Sequence, residues 1–362
     1  MDIMENISNT SARSLARITG KIISLYIVFG DVTRLMTRNM HQVINDRRNW
    51  DGIEDLKDKS DLRNELKFWL SNIDRLNRRV MFVEDVPKIL GFSDASEHAC
   101  GGYLIRCNSE ICHKMWSDSE KKRSSTWRKL KALFMSLQSF TKFIKNRKIG
   151  WFTDNQNVVR IVQTGSTKVH LQTLALNIFN FCVENDIILQ IKWIPRTQNA
   201  KADFISKIID TDDWEVTENF FNFMNKKWGS YTIDRFANYE NTKVTRFNSK
   251  FWNPNTEAVD AFLQDWSNEN NWLVPPVALV PKVINHLLGC KAKGTLVVPD
   301  WKSATFWPLL QDENSKWKWY IKDIIKFKNG CDICKQGKNK NSYIGSKNFK
   351  HQILAIRIDC SE

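Results

Sequence analysis

Residues 86–117 read VPKILGFSDASEHACGGYLIRCNSEICHKMWS. Three short apolar runs, VPKILGFSDAS, GGYLIRC and EICHKMWS, are separated by Gly, Asn and Ser, residues that let a chain reverse between strands. The stretch predicts a three-strand antiparallel meander. Downstream the period changes. Ser125 to Lys145 is a basic stretch at helical spacing, and Lys148 to Thr153 reads as a strand. Two helical stretches, a strand over Ile187 to Ile194 and a short final helix follow. The order βββαβα(α)βα predicts an α/β fold on a mixed five-stranded sheet over residues 80–208.

Upstream, residues 9 to 78 place apolar and basic positions at helical spacing, with breaks near Gly30 and at Asn49 to Gly52, predicting a small module of three helices over residues 1–78. Its last helix carries an apolar stripe of Leu66, Trp69, Leu70, Ile73 and Leu76 beside Lys67, Arg75 and Arg78, the pattern of an amphipathic packing helix. Downstream, residues 210–325 open on the acidic run DTDD and alternate again between helix and strand, with Trp and Pro at high density. Residues 326–362 include GCDICKQGKNKNSYIGSKNFK, which reads as a mobile basic tail ending in the short apolar run HQILAIRI.

With 362 residues and 42% hydrophobic composition the chain can fill two or three cores. Lys and Arg total 54 against 40 Asp and Glu, a net charge of +14 that favours an anionic partner through phosphate contacts and counterion release. Eight scattered cysteines and the lack of a secretory leader point to reduced thiols and an intracellular setting, cytoplasm or nucleus. Cys331 and Cys334 form a lone CxxC without a second pair at zinc-finger spacing, and His351 and Cys360 follow only at a distance. The most apolar early stretch, Ile22 to Phe29, is far shorter than the roughly 20 residues a membrane span needs, so no membrane segment is expected.

The chemistry rests on carboxylates. Asp94 and Asp154 each fall at the end of an apolar strand, and Asp203 begins a helix just after a third. Each alone is as well read as a cap or turn residue. Strand ends of one sheet converge, however, and three aspartates together can offer the oxygen ligands that hard Mg²⁺ prefers, in sites where two ions sit about 4 Å apart.

SDAS followed by GGYL, the Trp-containing strand, SSTWRKLKAL, FTDNQNVV and WIPRTQNAKADFIS resemble type 1 RNase H, and in particular the RNase H region of DIRS-type retrotransposons. The resemblance implies an endonuclease that cuts the RNA strand of an RNA:DNA hybrid, with two Mg²⁺ ions held by Asp, Glu, Asp and Asp. Asp94, Asp154 and Asp203 match three of these as catalytic and metal-binding residues. The family's Glu lies in a pattern like WRELKAL, where this chain has Trp127, Arg128, Lys129 and Leu130, so Lys129 occupies its position. An ammonium competes with a cation instead of coordinating it, so impaired cleavage is expected. The mobile His of many such enzymes is also missing, since Trp193 to Asp203 contains Arg196, Gln198 and Asn199 instead.

Hybrid binding can outlast cleavage, because A-form geometry is read by polar side chains and backbone amides. Asn155, Gln156, Asn157 and Arg196 are the candidate nucleic-acid contacts, Asn155 being equally suited to cap the following helix. Lys121, Lys122, Arg123, Arg128, Lys129 and Lys131 form a basic cluster that could equally be a solvated face.

Two flanking resemblances complete the reading. SLARITGKIISL, FGDVTRLMTRNMH and ELKFWLSNIDRLN look like the segment joining reverse transcriptase to RNase H in the same elements, which implies an upstream polymerase domain as partner; no polymerase palm is recognisable here. YTIDRFANYENTK, RFNSKFW, DAFLQDW, NWLVPPVALVPKV and GTLVVPDWKSATFW resemble the phage-type adenine methyltransferase domain found downstream in those elements. That resemblance implies a doubly wound α/β sheet and S-adenosylmethionine, with Asp234 near the cofactor and Pro275 and Pro276 in the catalytic loop. Val274 and Val277 stand where a polar residue and a stacking aromatic are needed, so neither methyl transfer nor the cofactor is expected. The chain is thus expected to be a retrotransposon-derived RNase H-like protein acting on RNA:DNA hybrid or DNA, with impaired cleavage or, alternatively, as an inactive nucleic-acid-binding scaffold.

Overall fold

The computed structural model describes residues 10–54, 56, 58–76, 86–105, 110–210, 214–340 and 342–361. The boundary expected at residues 78–80, Arg78 of the basic flank, and Thr211 to Asp213 of the acidic run lie outside them.

The N-terminal module contains β1 (Thr10–Ser11), α1 (Ala12–Ser24), α2 (Tyr26–Phe29), α3 (Val32–Leu35), α4 (Arg38–Asn45), β2 (Ile53–Glu54) and α5 (Ser60–Leu76). Ser11 caps α1 by accepting from the Ser14 amide at 3.3 Å. Among the described residues five helices replace the three expected, because Leu25, Gly30 at φ 69° and Thr37 each interrupt the apolar period. Leu15, Phe29, Met40, Leu62, Leu66 and Trp69 fill the core. Leu70 and Ile73 of the α5 stripe remain half exposed.

The meander forms as predicted, with β3 (Ile89–Ala95), β4 (Ala99–Ile105) and β5 (Glu110–Met115) pairing antiparallel. There follow α6 (Asp118–Lys121), α7 (Ser125–Ser139), α8 (Thr141–Ile144), β6 (Lys148–Thr153), α9 (Gln156–Thr164), α10 (Val169–Glu184), β7 (Ile188–Trp193), a 3₁₀ turn and α11 (Ala200–Ile205). The sheet order is β5-β4-β3-β6-β7, with β6 parallel to both β3 and β7. This is the mixed five-stranded sheet of an RNase H-like fold. Gly101 and Gly102 of the GGYL motif are steric requirements: a Cβ at Gly102 would stand 2.3 Å from Ser136 Oγ on α7, and one at Gly101 2.4 Å from Ile205 on α11. Bare backbone thus lets helices close on both faces of β4. Leu130, Leu133, Leu137 and Phe140 meet Ile149, Trp151 and Ile178 in the core.

The third region contains β8 (Trp214–Val216), α12 (Glu218–Trp228), β9 (Ile233–Asp234), β10 (Asn248–Ser249), β11 (Ala258–Val259), β12 (Asn270–Leu273), α13 (Val280–Gly289), β13 (Lys293–Pro299), β14 (Ile321–Phe327), β15 (Cys334–Gln336) and β16 (Ile353–Asp359). Its main sheet runs β14-β16-β13-β12-β9. Strands β9, β12 and β13 are parallel, while β16 is antiparallel to both β13 and β14. Successive residues point to opposite faces: Leu296 and Val298 pack with Val283 and Leu287 of α13, whereas Val297 packs with Phe221 and Met224 of α12. Each face of the sheet therefore has its own helix.

The expected basic tail is not a tail. β16 lies between two other strands, its Ile353 to Ile356 completely buried, and β15 pairs with β8. The run HQILAIRI supplies alternating side chains for both faces of a central strand, and the Lys- and Asn-rich segment before it obscured that role. The third region therefore continues through residues 326–361.

The two sheets interlock at β5. The Trp252 amide donates to Ile111 O at 2.9 Å, its indole N–H donates to the Glu110 carboxylate, and its ring meets Phe143 edge-on at 4.9 Å. A segment of the third region thus covers the outer edge of the first sheet. Among the described residues, no helix is long and apolar enough to cross a membrane.

Candidate active site

Asp94 is the penultimate residue of β3 and Asp154 directly follows β6. These strands are adjacent and parallel, so both carboxylates emerge at one end of the sheet. Above them runs α7, started by Ser124, whose hydroxyl accepts from the Trp127 amide at 3.2 Å. Lys129 stands one turn into this helix. Its Nζ lies 2.8 Å from Asp94 Oδ1 and 2.5 Å from Asp154 Oδ1. The side chains of Asp94, Asp154 and Lys129 are only 3%, 6% and 15% exposed, so the ammonium offsets one of the two carboxylate charges largely out of water.

Burial alone would lower the Lys129 ammonium, but its interactions with Asp154 and Asp94 outweigh it and raise it, keeping the group charged. Burial raises the Asp94 carboxyl, against the opposing pull of Lys129. Asp94 Oδ1 has no well-aligned hydrogen bond, so its attraction to the ammonium is ionic.

Asp203, on α11, does not join this pair. Its Oδ1 accepts from Arg196 Nη2 at 3.0 Å and its Oδ2 from Lys207 Nζ at 2.5 Å. The hydrogen bond from Lys207, followed by that from Arg196, holds the Asp203 carboxyl below the usual carboxylate range. Arg196 is raised by its hydrogen bond to Asp203 first, and more weakly by the charges of Asp94 and Asp154.

These residues do not fit a pair of Mg²⁺ ions. An ammonium fills the space between Asp94 and Asp154, both oxygens of Asp203 go to cations, and among the described residues no group of three or more His, Cys, Asp or Glu could hold a metal. Neither nearby glutamate substitutes for the missing one. Glu120 caps α6 and pairs with Lys114 at 2.8 Å, while Glu97 faces His98.

The other expected contacts are dispersed. Asn155 Oδ1 accepts from the Val158 amide at 3.1 Å and caps α9, whereas Gln156 and Asn157 are exposed. The basic cluster does not form one face, because the helical turn sends its members in different directions. Lys129 enters the site, Lys131 is lowered by burial, and Arg128 Nε and Nη1 are buried; Lys122 and Arg123 remain exposed. Two exposed aromatics that the motifs do not single out adjoin these residues, one by a hydrogen bond and one along the chain. Trp193 is 45% exposed and donates through Nε1 to Asp154 O at 3.1 Å, and Phe204, next to Asp203, is 70% exposed. Exposed aromatics at polar positions of a strand end and a helix were the available signal.

In the third region Asp234 ends β9 fully enclosed. Burial pushes its carboxyl up to about 6, while Oδ1 and Oδ2 accept from the Phe236 and Lys243 amides at 3.3 and 3.2 Å. It holds its own loop, which accounts for an aspartate at that position. Pro275 and Val274 are buried, and Pro276 lines a cavity. Cys331 is exposed and Cys334 buried, its thiol pushed up to about 12 by burial.

No family model and no curated protein matches the chain. Among solved structures, it is similar to RNase H1 from the halophilic archaeon Halobacterium salinarum NRC-1, at 16% identity and TM-score 0.28 over 32% of this chain and 92% of that one. It is similar to LC11-RNase H1, solved in complex with RNA/DNA hybrid, at 18% identity and TM-score 0.29 over 33% and 93%. A foamy viral protease-reverse transcriptase, also in complex with RNA/DNA hybrid, matches at 11% identity and TM-score 0.23, and there the chain spans only 26% of its relative's length. Likenesses this distant carry no argument for activity; the RNase H-like assignment of residues 89–205 follows from strand order and register.

Proposed function

We propose that the chain is a retroelement-derived RNase H-like protein that grips RNA:DNA hybrid or DNA without cutting it. One observation carries this reading: the Lys129 ammonium lies 2.8 Å and 2.5 Å from the two aspartates that the resemblance makes metal ligands. A dication entering there would have to expel a buried ammonium that already holds both carboxylates, which is electrostatically unfavourable. No hydrolytic step is assigned to the site.

Binding is supported by the net charge of +14 and by the surroundings of the Lys129-bridged pair. Arg196 and Lys207 lie beside Asp203, Lys201 is exposed on the same helix, and Trp193 and Phe204 offer ring faces on which bases stack at about 1–3 kcal/mol each. The Lys129 ammonium offsets one of the two carboxylate charges and so reduces the repulsion that the bare pair would exert on a phosphate. The retrotransposon origin, the methyltransferase ancestry of the third region and an upstream polymerase partner belong to the same reading and rest on the sequence motifs.

The test is incubation of a labelled RNA:DNA hybrid with the full chain, Lys129→Glu and Asp94→Asn in Mg²⁺ or Mn²⁺, with binding read in parallel across a salt series. The chain is expected to bind with salt-sensitive affinity and leave the hybrid intact, and Lys129→Glu to gain cleavage. Cleavage by the natural chain that Asp94→Asn abolishes would refute the reading, and absence of binding at physiological salt would leave only a structural relic.

A further inference from the structure

We infer that the seam between the N-terminal module and the RNase H-like region holds a site for a primary alkylammonium ion, in a cavity of about 360 Å³ between α5 and α10. The inference is independent of the Lys129 site and of nucleic-acid binding. The two helices touch where Phe68 meets Phe179 edge-on at 5.5 Å, and Gln172 of α10 donates through Nε2 to Leu35 O at 3.1 Å. Phe68 and Gln172 also line the cavity, so its two walls are fixed against each other. The volume is at the small end for ligand sites and suits a short chain.

The charge of the lining selects a cation. Asp61 and Glu65 of α5 line the cavity, no Lys, Arg or His does, and the α10 wall is uncharged, although the chain as a whole carries +14. Glu65 is 1% exposed, and among the described residues it is held only by neutral donors. Its Oε1 accepts from the Asn39 amide at 2.9 Å and from Asn39 Nδ2 at 3.0 Å, and its Oε2 from the Met40 amide at 3.0 Å. Arg38, which opens α4, acts on it only through its backbone amide. Burial raises the carboxyl to about 7 against these hydrogen bonds. A buried carboxylate without a counter-ion is costly, and an ammonium in the adjoining cavity offsets that cost.

The rest of the lining matches an alkyl chain better than a metal ion. N–H groups already take three of the lone-pair positions on Glu65, so it cannot supply the several oxygen ligands that Mg²⁺ or Ca²⁺ requires. Among the described residues no group of three His, Cys, Asp or Glu could hold a metal. An ammonium needs only acceptors for its three N–H groups. Asp61 offers a carboxylate, and Asn64, Asn177 and Asn180, all exposed, offer amide oxygens. Met36, Phe68 and Leu176 offer apolar surface along which a methylene stem can lie. Charge, hydrogen bonds and stem therefore each find a matching group.

Calorimetric titration of the full chain with cadaverine and spermidine, with a short acetylated peptide containing lysine, and with 1-pentanol and Mg²⁺ as contrasts tests this. One-to-one saturable binding of the alkylammonium probes is expected, and none of 1-pentanol or Mg²⁺. Because the ion binds the ionised carboxylate, affinity should fall about tenfold from pH 8 to pH 6. Glu65→Gln, which keeps an amide oxygen and removes the charge, should weaken binding roughly tenfold or more and abolish that pH dependence. Asn177→Trp, an exposed substitution that fills the cavity and leaves both carboxylates in place, should block binding as well. Circular dichroism checks the fold of both variants, and if Glu65→Gln does not fold, Asn177→Trp and the pH profile decide. Binding of the free amines assigns the site to a free polyamine, and binding of the peptide alone assigns it to a partner's lysine side chain. Failure of every alkylammonium probe, equal binding of 1-pentanol or Mg²⁺, or binding unchanged in Asn177→Trp and level across pH overturns the proposal.

Discussion

The described residues form two five-stranded sheets whose chemistry would be sought at the same place, the carboxyl ends of neighbouring parallel strands. In the first that place is filled: Lys129 reaches down from α7 and bridges Asp94 and Asp154. In the second it is open, and a cavity of about 540 Å³ lies beyond β9 and β12. A fold fixes where a site can be, and the side chains delivered there decide whether anything can enter. One helix residue separates a sealed edge from an accessible one.

The sharpest way to break that contrast is to unseal the first edge without replacing the charge. Lys129→Met leaves two buried carboxylates facing each other, and a loss of about 3–5 kcal/mol in urea unfolding is expected. A loss near zero would mean that water already reaches the pair and that the edge is not sealed. Next, Trp252→Ala removes the ring that joins the two sheets and should cost about 3–5 kcal/mol, less if the site collapses. If unfolding then splits into two transitions, the sheets are cooperative only through this contact.

Asp234 sharpens the second half of the contrast, because it is an enclosed carboxyl with no cation bonded to it. Its folded value, about 6, is above the unfolded one. The stability it contributes is therefore present below about pH 4 and lost as pH rises through about 6. Relative to the natural chain, Asp234→Asn should gain about 2–3 kcal/mol between pH 4 and pH 7. No change in that difference would show that the carboxylate is solvated through the cavity. The smallest effect belongs to Asp203, whose value is depressed by Lys207 and Arg196. Its contribution is present above about pH 4 and lost as pH falls through the folded value, so Asp203→Asn should flatten the acid limb by under about 1 kcal/mol.

Much of the first sheet was legible because its signals are local. Strand alternation, GGYL and the Asp positions predicted β3 to β7 within about three residues, and GG is explained by helices packed on both faces of β4. Lys129 could be assigned to the family's Glu position, but that it would bridge both aspartates depends on the distance between α7 and two strands, which no local pattern encodes. Asp203 was grouped with the metal ligands because Lys207, its second partner, lies one turn further along and reads as ordinary surface. The C-terminal strand was missed for the opposite reason: β16 pairs with β13, about sixty residues earlier, and composition near residue 340 resembles a tail. The cavity was invisible, since its walls come from segments far apart in the chain.

The cap on β5 has a consequence in time. Glu110 and Trp252 are 142 positions apart, so the edge of the first sheet is synthesised long before the residue that covers it. At roughly 5–20 residues per second on the ribosome, the emerging chain carries an unpaired strand edge for about 7–30 seconds. During that window a second nascent chain can pair with it, and polysomes, which hold identical chains side by side, are where such pairing would occur. Slowing translation between the two positions should therefore increase aggregation while leaving the finished protein's stability unchanged.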